Sequence, residues 1–360
     1  MRLSFALSVV ALTTISAMQA AQGLTPVEQQ LEELKTLLRG KNVGMITNPT
    51  SVLEDLTFIP DKLALDPSTP FNLSCFFAPE HGMRADKQGG AYIEDYVDDL
   101  TGRVVYSIYG KSKAPTDEQL AGLDALVFDI QDVGTRFYTF VWSMTYCMEA
   151  AAKNGKMFVV LDRPNPIGAD VVEGPPNTMD AGLIGRKWEN APFGVPTRHG
   201  MTAGEIAMLV NSEWMSPKVD LHVIKVPAYN RSDRWEALGR PWVLPSPNMP
   251  TFDGTAIVYP GAGNFEDVDG ASEGRGTTRP FEIIGTPAAS SAKVADALTK
   301  KLNAIGLPGV SFRTTFFVPT FGKYINKPCG GVQIRKKIVR RVVFAVLILC
   351  VVCTMICIRH

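Results

Sequence analysis

The sequence predicts an α/β fold: a Rossmann-like, mainly parallel sheet with helices on both faces, joined to a smaller α+β domain. Short apolar runs of strand length alternate with helical segments between residues 24 and 226. Strands that are buried on both faces of a parallel sheet have this continuous apolar character. After Pro227 the alternation stops, and proline, glycine and asparagine become frequent. We therefore expect the Rossmann-like domain at residues 24–226 and the smaller domain at residues 227–334.

The elements of the first domain follow in order from the positions of apolar residues and helix-terminating residues. Apolar positions at helical spacing and helix-ending glycines or asparagines predict helices at residues 25–38, 137–153 and 202–214. The third helix starts with a capping box, Thr202 followed three residues later by Glu205. Apolar runs bounded by turn-forming residues predict strands at residues 43–46, 73–77, 104–108, 125–130, 157–161 and 221–226. In the smaller domain, residues 291–305 are expected to form a helix and residues 310–318 a strand.

Composition limits the partners and the compartment. The 360 residues carry 36 basic and 36 acidic side chains, so no excess positive charge favours nucleic acid as a partner. Residues 1–21 combine Arg2, an apolar run and small residues up to Ala21, the pattern of a secretory signal peptide. We therefore expect a secreted or extracytoplasmic protein. Outside the C-terminal tail, Cys75, Cys147 and Cys329 are expected to be buried free thiols, with one disulfide as the alternative.

The candidate catalytic residues are Glu80 and His81. They directly follow the predicted strand at residues 73–77 and its terminating Pro79. Open α/β sheets bind ligands at the carboxyl ends of their strands, and groups at such an edge can have the shifted pKa values that acid/base catalysis requires. The alternative is a turn in which both side chains are merely solvated.

Further polar residues follow other strands or lie in loops that we expect at the same edge. Because parallel strands end on one side of the sheet, these groups can converge on one site. Asp129 and Asp162 have the alternative role of capping the segments that follow them. The candidate substrate-binding residues are Asn48, Asp129, Asp132, Arg136, Asp162, Asn165, Glu173, Arg198, His199, Glu273, Arg275 and Arg279.

The pattern of motifs argues against a cofactor and favours a hydrolase. No Gly-x-Gly-x-x-Gly follows the first strand, which argues against a dinucleotide cofactor. The sequence also has no His-x-x-x-His pair, which argues against a zinc site. An exported enzyme with several carboxylates and neither motif suggests hydrolysis, and glycoside hydrolysis generally uses two carboxylates. An esterase with Ser246 or Ser272 as nucleophile is an alternative, although neither serine lies in a Gly-x-Ser-x-Gly elbow.

Four motifs stand out, at residues 78–82 (APEHG), 129–139 (DIQDVGTRFYT), 161–166 (LDRPNP) and 272–282 (SEGRGTTRPFE). Together they resemble the exo-β-N-acetylmuramidases, a family of peptidoglycan hexosaminidases, and the resemblance extends from about residue 41 to about residue 334. It implies a Rossmann-like domain with an auxiliary domain, a site in the cleft between them, and release of terminal N-acetylmuramic acid from peptidoglycan fragments. By motif, the catalytic glutamate of the family corresponds to Glu80. Guanidinium groups match carboxylates, so Arg275 and Arg279 are candidates for the lactyl carboxylate of muramic acid.

The C-terminal end departs from this resemblance. After Ile334 a basic segment at residues 335–341 and an apolar stretch at residues 342–358 replace the expected remainder of the auxiliary domain. Two interpretations stay open: a transmembrane tail that associates with a membrane, and a sequence end altered by a frameshift. In either case the auxiliary domain is expected to be truncated, and the strand at residues 310–318 to lack partners. A sugar-binding protein without turnover is therefore a further alternative.

Overall fold

The computed structural model describes residues 24–189, 191 and 194–336. The predicted signal peptide at residues 1–21 and most of the predicted basic and transmembrane tail, from residue 337 onward, lie outside these residues. Residues 335 and 336 belong to the last strand of the smaller sheet. Within the described ranges, no helix has both the length and the apolar content needed to cross a membrane.

The first unit is built on a seven-stranded sheet with Rossmann strand order. Its strands are β1 (Asn42–Thr47), β2 (Asn72–Ala78), β3 (Tyr96–Val97), β4 (Val104–Ser107), β5 (Ala125–Asp129), β6 (Met157–Leu161) and β9 (Asp220–Ile224). They lie side by side in the order β3-β4-β2-β1-β5-β6-β9. Every pairing is parallel except that of the short edge strand β3 with β4. The six parallel strands thus have the doubly wound order, which reverses between β1 and β5.

Helices cover both faces of this sheet, as predicted. They are α1 (Pro26–Leu37), α2 (Ile59–Leu65), α3 (Asp117–Leu120), α4 (Phe140–Lys153) and α5 (Ala203–Leu209). Alternate strand residues serve opposite faces: Ala125 and Val127 pack in the core with α1 and α2, whereas Leu126 and Phe128 pack in the core with α4 and α5. This period of two follows from the pleat of a strand, and it explains why β5 is apolar throughout.

Three of these helices start with capping boxes, at Thr25, Thr116 and Thr202, and the last of these was predicted from the sequence. Thr25 accepts a hydrogen bond from the amide of Glu28, whose carboxylate accepts one from the amide of Thr25. Thr202 and Glu205 exchange the same pair of hydrogen bonds at the start of α5. The helix predicted at residues 202–214 is α5 with a wider π-helical turn at Val210–Trp214.

The second unit contains a three-stranded antiparallel sheet. Its elements are α6 (Ile257–Ala262), β10 (Ile283–Thr286), α7 (Ala292–Ala304), β11 (Val310–Phe317) and β12 (Cys329–Lys336), and the strand order is β10-β12-β11. The expectation that the strand at residues 310–318 lacks partners is wrong, because every residue of β11 pairs with β12. The sequence segment that begins at Cys329 therefore completes this sheet.

The two units share one hydrophobic core. Phe128 and Trp142 of the first unit belong to the same buried cluster as Phe281, Leu298 and Val332 of the second. A two-stranded ribbon of β7 (Glu173–Pro176) and β8 (Pro196–Arg198) lies outside the main sheet. All three cysteines of the described chain, Cys75, Cys147 and Cys329, are buried and free, as expected.

Candidate active site

Glu80 and His81 form the tip of a tight turn at the carboxyl end of β2. The carbonyl of Pro79 accepts a hydrogen bond from the amide of Gly82 at 3.0 Å, which closes a four-residue turn. His81 has a φ of 73°, the left-handed conformation that the third position of a type II turn requires. A non-glycine residue in this conformation is uncommon and is often found at functional sites. The turn directs the two neighbouring side chains into one cavity.

Both carboxylate oxygens of Glu80 accept hydrogen bonds. The amide of Gly90 donates to Oε1 at 3.2 Å, and the hydroxyl of Thr139 donates to Oε2 at 3.0 Å. The hydroxyl of Tyr109 also interacts with this carboxylate; burial, together with the Glu80 charge, raises the pKa of Tyr109 to about 12. Three chain segments therefore fix the orientation of Glu80.

His81 is 8% exposed and is held beside Glu80 as a neutral imidazole. Its Nδ1 lies 2.9 Å from the carbonyl oxygen of Lys87, an acceptor, so Nδ1 carries the proton and Nε2 is unprotonated. Burial lowers the pKa of His81 below its ordinary value, and this effect outweighs the opposite influence of the Glu80 carboxylate. The ring can therefore accept a hydrogen bond from a substrate hydroxyl.

A cavity of about 210 Å³ opens in front of this turn. Residues of both units line it, so it lies at their junction. Its polar lining residues are Glu80, His81, Tyr109, Tyr138, Thr139, Ser246, Asn248, Tyr259, Glu266 and Arg275, and its apolar ones are Phe137, Phe140, Leu183, Ile184, Met249 and Phe281, with Gly89 at the rim.

The second unit contributes Arg275 and two glutamates. Arg275 donates from Nη2 to Oε1 of Glu266 at 2.7 Å, and its Nε lies 3.7 Å from Oε1 of the buried Glu273. Burial would lower the pKa of Arg275, but the Glu266 carboxylate raises it, so the guanidinium stays charged. Nη1 has no hydrogen bond among the described residues. It lies on the Glu80 side of the cavity, because a Cβ on Gly89 would be within 4 Å of Nη1, of Glu80 Oε1 and of the His81 ring.

Glu273 supports Arg275 from below the cavity. It is 3% exposed, burial raises its pKa, and its Oε2 lies 4.0 Å from Nζ of Lys323. Sequence reasoning predicted Glu273 and Arg275. It missed Glu266, whose carboxylate lies directly at the cavity.

Asn48 follows β1 and Asp129 is the last residue of β5, at the point where the strand order reverses, but neither lines the cavity. Asn48 binds the carbonyl of Pro245 and caps its own turn at Thr50. Asp129 forms a fully buried ion pair with Arg163, with Nε–Oδ1 at 2.7 Å, and accepts a hydrogen bond from Ser51. Both residues lie where the strand order reverses, whereas the cavity lies one strand further along, at β2.

Asp162 and Asn165 stabilise connections at the end of β6. Asp162 accepts hydrogen bonds from the hydroxyl of Thr202 at 2.7 Å and from the amide of Gly204 at 2.8 Å, so it caps α5. Burial nevertheless raises the pKa of Asp162 to about 6. Asn165 binds the carbonyl of Met201. The alternative role considered for Asp162, helix capping, is the one that the structure gives it.

The remaining predicted residues of the first unit lie outside the cavity in two groups of contacts. Nε2 of His199 lies 3.3 Å from Oδ2 of Asp132, and the amide of Met201 donates to Nδ1 of His199. The proton of His199 therefore lies on Nε2 and faces the carboxylate.

The second group consists of a charged pair on the ribbon and an arginine in the loop before α4. Arg198 pairs with Glu173 across β7 and β8 at 2.9 Å, and Arg136 donates to the carbonyls of Pro175 and Val195. These groups connect the ribbon to the loop before α4. None of the five residues Asp132, Arg136, Glu173, Arg198 and His199 lines the cavity.

The last three candidates from the sequence are Arg279 and two serines, and of these only Ser246 lines the cavity. Arg279 is half exposed and pairs with Glu282 at 2.8 Å, outside the cavity. Ser272 is buried in a turn, where its hydroxyl accepts from the amide of Gly274. Ser246 lines the cavity, but no hydrogen bond joins it to an imidazole among the described residues, so the esterase alternative has no nucleophile–base pair there.

Several cavity residues were not predicted individually. Tyr138 and Thr139 lie inside the motif at residues 129–139, and Tyr109 follows the end of β4, so their position after strands was the available signal. Ser246 and Asn248 lie in a proline-rich loop without any recognisable chemical pattern. Within residues 24–189, 191 and 194–336, no cluster of three or more His, Cys, Asp or Glu side chains has the geometry of a metal site.

The cavity contains two carboxylates, those of Glu80 and Glu266, and a pair of carboxylates is what most glycoside hydrolases use. The chain matches the models for the N-terminal part of exo-beta-N-acetylmuramidase NamZ over residues 43–253 and for its C-terminal part over residues 257–357. The chain therefore belongs to the NamZ family of exo-beta-N-acetylmuramidases. The second match extends beyond Ile334, where we expected the resemblance to end. The two models meet between residues 253 and 257, whereas our domain boundary at 226/227 remains a prediction.

Similar proteins agree with this assignment. The chain is 46% identical over 311 residues to peptidoglycan beta-N-acetylmuramidase NamZ of Bacillus subtilis (strain 168). The matched region covers 86% of this chain and 72% of that protein. A DUF1343 family protein from Bacteroides fragilis NCTC 9343 has a similar crystal structure, with a TM-score of 0.81, 34% identity and coverage of 93% of this chain and 83% of the other. A second DUF1343 protein from the same strain gives a TM-score of 0.64 at 30% identity, covering 86% of this chain and 75% of the other. The α/β fold and the glycoside hydrolase class predicted from the sequence are confirmed.

Proposed function

We propose that this enzyme releases a terminal N-acetylmuramic acid residue from peptidoglycan-derived glycans, with Glu80 as the general acid. The observation that carries the proposal is the position of Glu80, which lies in a cavity at the domain junction with both oxygens oriented by hydrogen bonds. A positioned acid of this kind can transfer a proton to the glycosidic oxygen while the bond from that oxygen to the anomeric carbon breaks.

The second carboxylate of the reaction is assigned to Glu266. Glycoside hydrolysis requires a group that acts on the other face of the sugar, either through water or at the anomeric carbon. Glu266 lines the same cavity from the opposite unit, and Arg275 holds it at 2.7 Å. Glu273 lies next to it but is buried and faces Lys323, so it suits a supporting role.

Specificity for muramic acid is assigned to Arg275. Muramic acid differs from glucosamine by a lactyl group that carries a carboxylate, and charge-assisted hydrogen bonds from guanidinium to carboxylate are among the strong ones. Nη1 of Arg275 faces the Glu80 side of the cavity while Nη2 binds Glu266. One arginine therefore contacts both the proposed substrate and the second carboxylate.

The cavity size supports action at a chain end. At about 210 Å³ it is smaller than the roughly 300–1,000 Å³ of pockets that hold drug-sized ligands, so it suits one sugar ring. We also infer that the enzyme works outside the cytosol, since residues 1–21 have the pattern of a signal peptide and peptidoglycan lies there.

The test compares two chromogenic β-glycosides that differ only in the lactyl group, one of N-acetylmuramic acid and one of N-acetylglucosamine. We expect turnover of the first and at most weak turnover of the second, with the preference lost in Arg275→Gln. Glu32→Gln, an exposed carboxylate on α1, is the matched control and should behave as the parent. Equal turnover of both glycosides by the parent, or no turnover of the first by folded protein, would contradict the proposal.

A further inference from the structure

A second cavity, of about 300 Å³, lies next to the first and has no role in the reaction described so far. Tyr109 lines both cavities. The other residues of the second cavity are Tyr92, Glu94, Asp95, Ser107, Lys111, Ser112 and Gln119. We propose that this cavity is the leaving-group subsite and that it binds an uncharged N-acetylhexosamine, the sugar that follows the terminal muramic acid. The inference rests on the proposed function.

The position of Tyr109 connects this cavity to the acid. The hydroxyl of Tyr109 interacts with the Glu80 carboxylate, and its ring forms part of the second cavity. Glu80 must lie within hydrogen-bond reach of the glycosidic oxygen that it protonates. The sugar that leaves with this oxygen therefore lies beside Glu80 and Tyr109, which is where the second cavity begins.

Tyr92 provides a surface on which a pyranose ring can pack. A Cβ added to Gly110 would be only 2.9 Å from Cδ2 of Tyr92, so the ring lies directly against the backbone of this glycine. Nζ of Lys111 is 5.2 Å from the ring centroid, within the range of a cation–π contact. The ring is nevertheless 49% exposed. A fixed and half-exposed aromatic ring fits the apolar C–H face of a sugar.

The charges of the cavity favour a neutral sugar. Glu94 and Asp95 contribute two carboxylates, whereas Lys111 is the single cation among the lining residues. Carboxylates accept hydrogen bonds from sugar hydroxyls, and Gln119 can both donate and accept. The excess negative charge would repel the lactyl carboxylate of a second muramic acid. The first cavity, with Arg275, has the opposite preference, so the two cavities together select the order muramic acid followed by a neutral hexosamine.

The loop that carries these residues also contributes to the acid site. Gly90, which donates to Glu80, and Tyr92 belong to the same segment, and Asp95 anchors it by accepting from the amide of Ser107 at 2.8 Å. A substitution at Asp95 would therefore disturb Glu80 as well. Tyr92 and Glu94 are better positions for a test, because among the described residues no hydrogen bond or ion pair joins either side chain to Glu80 or to the groups that hold Glu80.

The experiment compares two substrates of the same muramic acid. The disaccharide N-acetylmuramyl-β-1,4-N-acetylglucosamine fills both cavities, whereas N-acetylmuramyl β-fluoride has a leaving group too small to reach the second. For Tyr92→Ala we expect kcat/KM on the disaccharide to fall at least tenfold and fluoride release to stay within about twofold of the parent. Glu94→Gln should show the same selective loss at a smaller size, and Tyr92→Phe, which keeps the ring, should resemble the parent on both substrates.

The possible outcomes distinguish failure of the leaving-group subsite from failure of the proposed function. If the parent hydrolyses both substrates and Tyr92→Ala either loses both equally or changes neither, the leaving-group subsite is refuted while the proposed function stands. If the parent hydrolyses neither substrate, the proposed function fails and the subsite fails with it. A selective loss on the disaccharide supports both.

Discussion

The substitution Glu80→Gln tests the proposed acid most directly, because the structure predicts that it removes the proton without disturbing the fold. Glutamine has the same shape as glutamate. With its amide oxygen at the position of Oε1 it still accepts from Gly90, and its amide nitrogen can then donate to the Thr139 hydroxyl, which is able to accept. The reverse orientation would set the nitrogen against the Gly90 amide and lose about 1 kcal/mol, so one orientation is favoured.

The expected result is a large loss of turnover with little loss of stability. A positioned general acid contributes about 10²- to 10⁴-fold, which corresponds to about 2.7–5.5 kcal/mol in the activation barrier. Since the hydrogen bonds of the side chain are retained, we expect the free energy of unfolding to change by less than about 1 kcal/mol. Binding of the disaccharide, measured by calorimetry, should stay within a few-fold of the parent.

The assay follows release of N-acetylmuramic acid from the disaccharide, with circular dichroism as the measure of folding. Glu32→Gln serves as the control for loss of a carboxylate elsewhere. If Glu80→Gln retains turnover within a few-fold of the parent, the acid role cannot belong to Glu80. Glu266→Gln, on the same substrate, would then become the variant to examine.

Three further predictions concern Arg275 in the cavity and two buried aspartates at strand ends, Asp129 and Asp162. Arg275→Gln removes the contact to Glu266 and should therefore slow both reactions, but kcat/KM on the muramic acid glycoside should fall about 10- to 100-fold further than on the glucosamine glycoside, the value of a hydrogen bond between charged groups. Equal losses on both would contradict the lactyl contact. Asp129→Asn should lower the free energy of unfolding by about 3–5 kcal/mol, because it leaves the buried Arg163 without a counter-charge; a loss below about 1 kcal/mol in urea unfolding would refute this. Asp162 has a pKa near 6 when folded and an ordinary value of 3.8 when unfolded, so the folded state holds the proton more tightly and stability falls as pH rises from about 4 to about 6. The difference of two pKa units corresponds to a loss of about 3 kcal/mol in the free energy of unfolding of the parent over this pH range. Asp162→Asn has no proton to lose and should not show this loss. Melting curves of both proteins at pH 4 and pH 7 measure the difference, and an equal change in both would argue against the raised pKa.

Strand and helix positions in the first unit followed from the sequence because each element has one dominant signal. The apolar run from Ala125 to Phe128 has the length of a strand buried on both faces, and the capping box at Thr202 marks the start of a helix. Elements with weak signals were missed: α2 is one short helix between turns, and β7 contains two prolines.

The site was predicted less completely, because strand topology shows which residues lie at the sheet edge but not which of them face the cavity. All four strand ends do point to one edge, but proximity to the edge does not decide which polar groups face a cavity. Asp129 is drawn inward by Arg163, and Asp162 is used by the start of α5. Glu80 stays available because its turn places it beside a glycine-rich loop, where amide and hydroxyl donors hold it without a cationic partner within ion-pair distance among the described residues.

Glu266 was missed because its proposed role depends on where the second unit places it relative to the turn at Glu80. In the sequence it lies in a loop with two aspartates nearby, and nothing distinguishes it from a solvated acidic residue. Its relevance arises only when the loop at residues 272–281 brings Arg275 to within 2.7 Å of it and both face the turn at Glu80. Sequence patterns report local structure, and this arrangement is not local.

The position of the cavity accounts for the part that the second unit plays in the proposed site. At the reversal point between β1 and β5, where a doubly wound sheet usually binds its ligand, Asn48 and Asp129 form buried polar contacts and do not line the cavity. The turn at Glu80 lies one strand away, and there the first unit offers an acid but no cation among the described cavity-lining residues. Arg275 and Glu266 of the second unit supply the missing charge and the second carboxylate. Neither unit alone holds the proposed catalytic set, so docking of the two units through their shared core is a condition of activity.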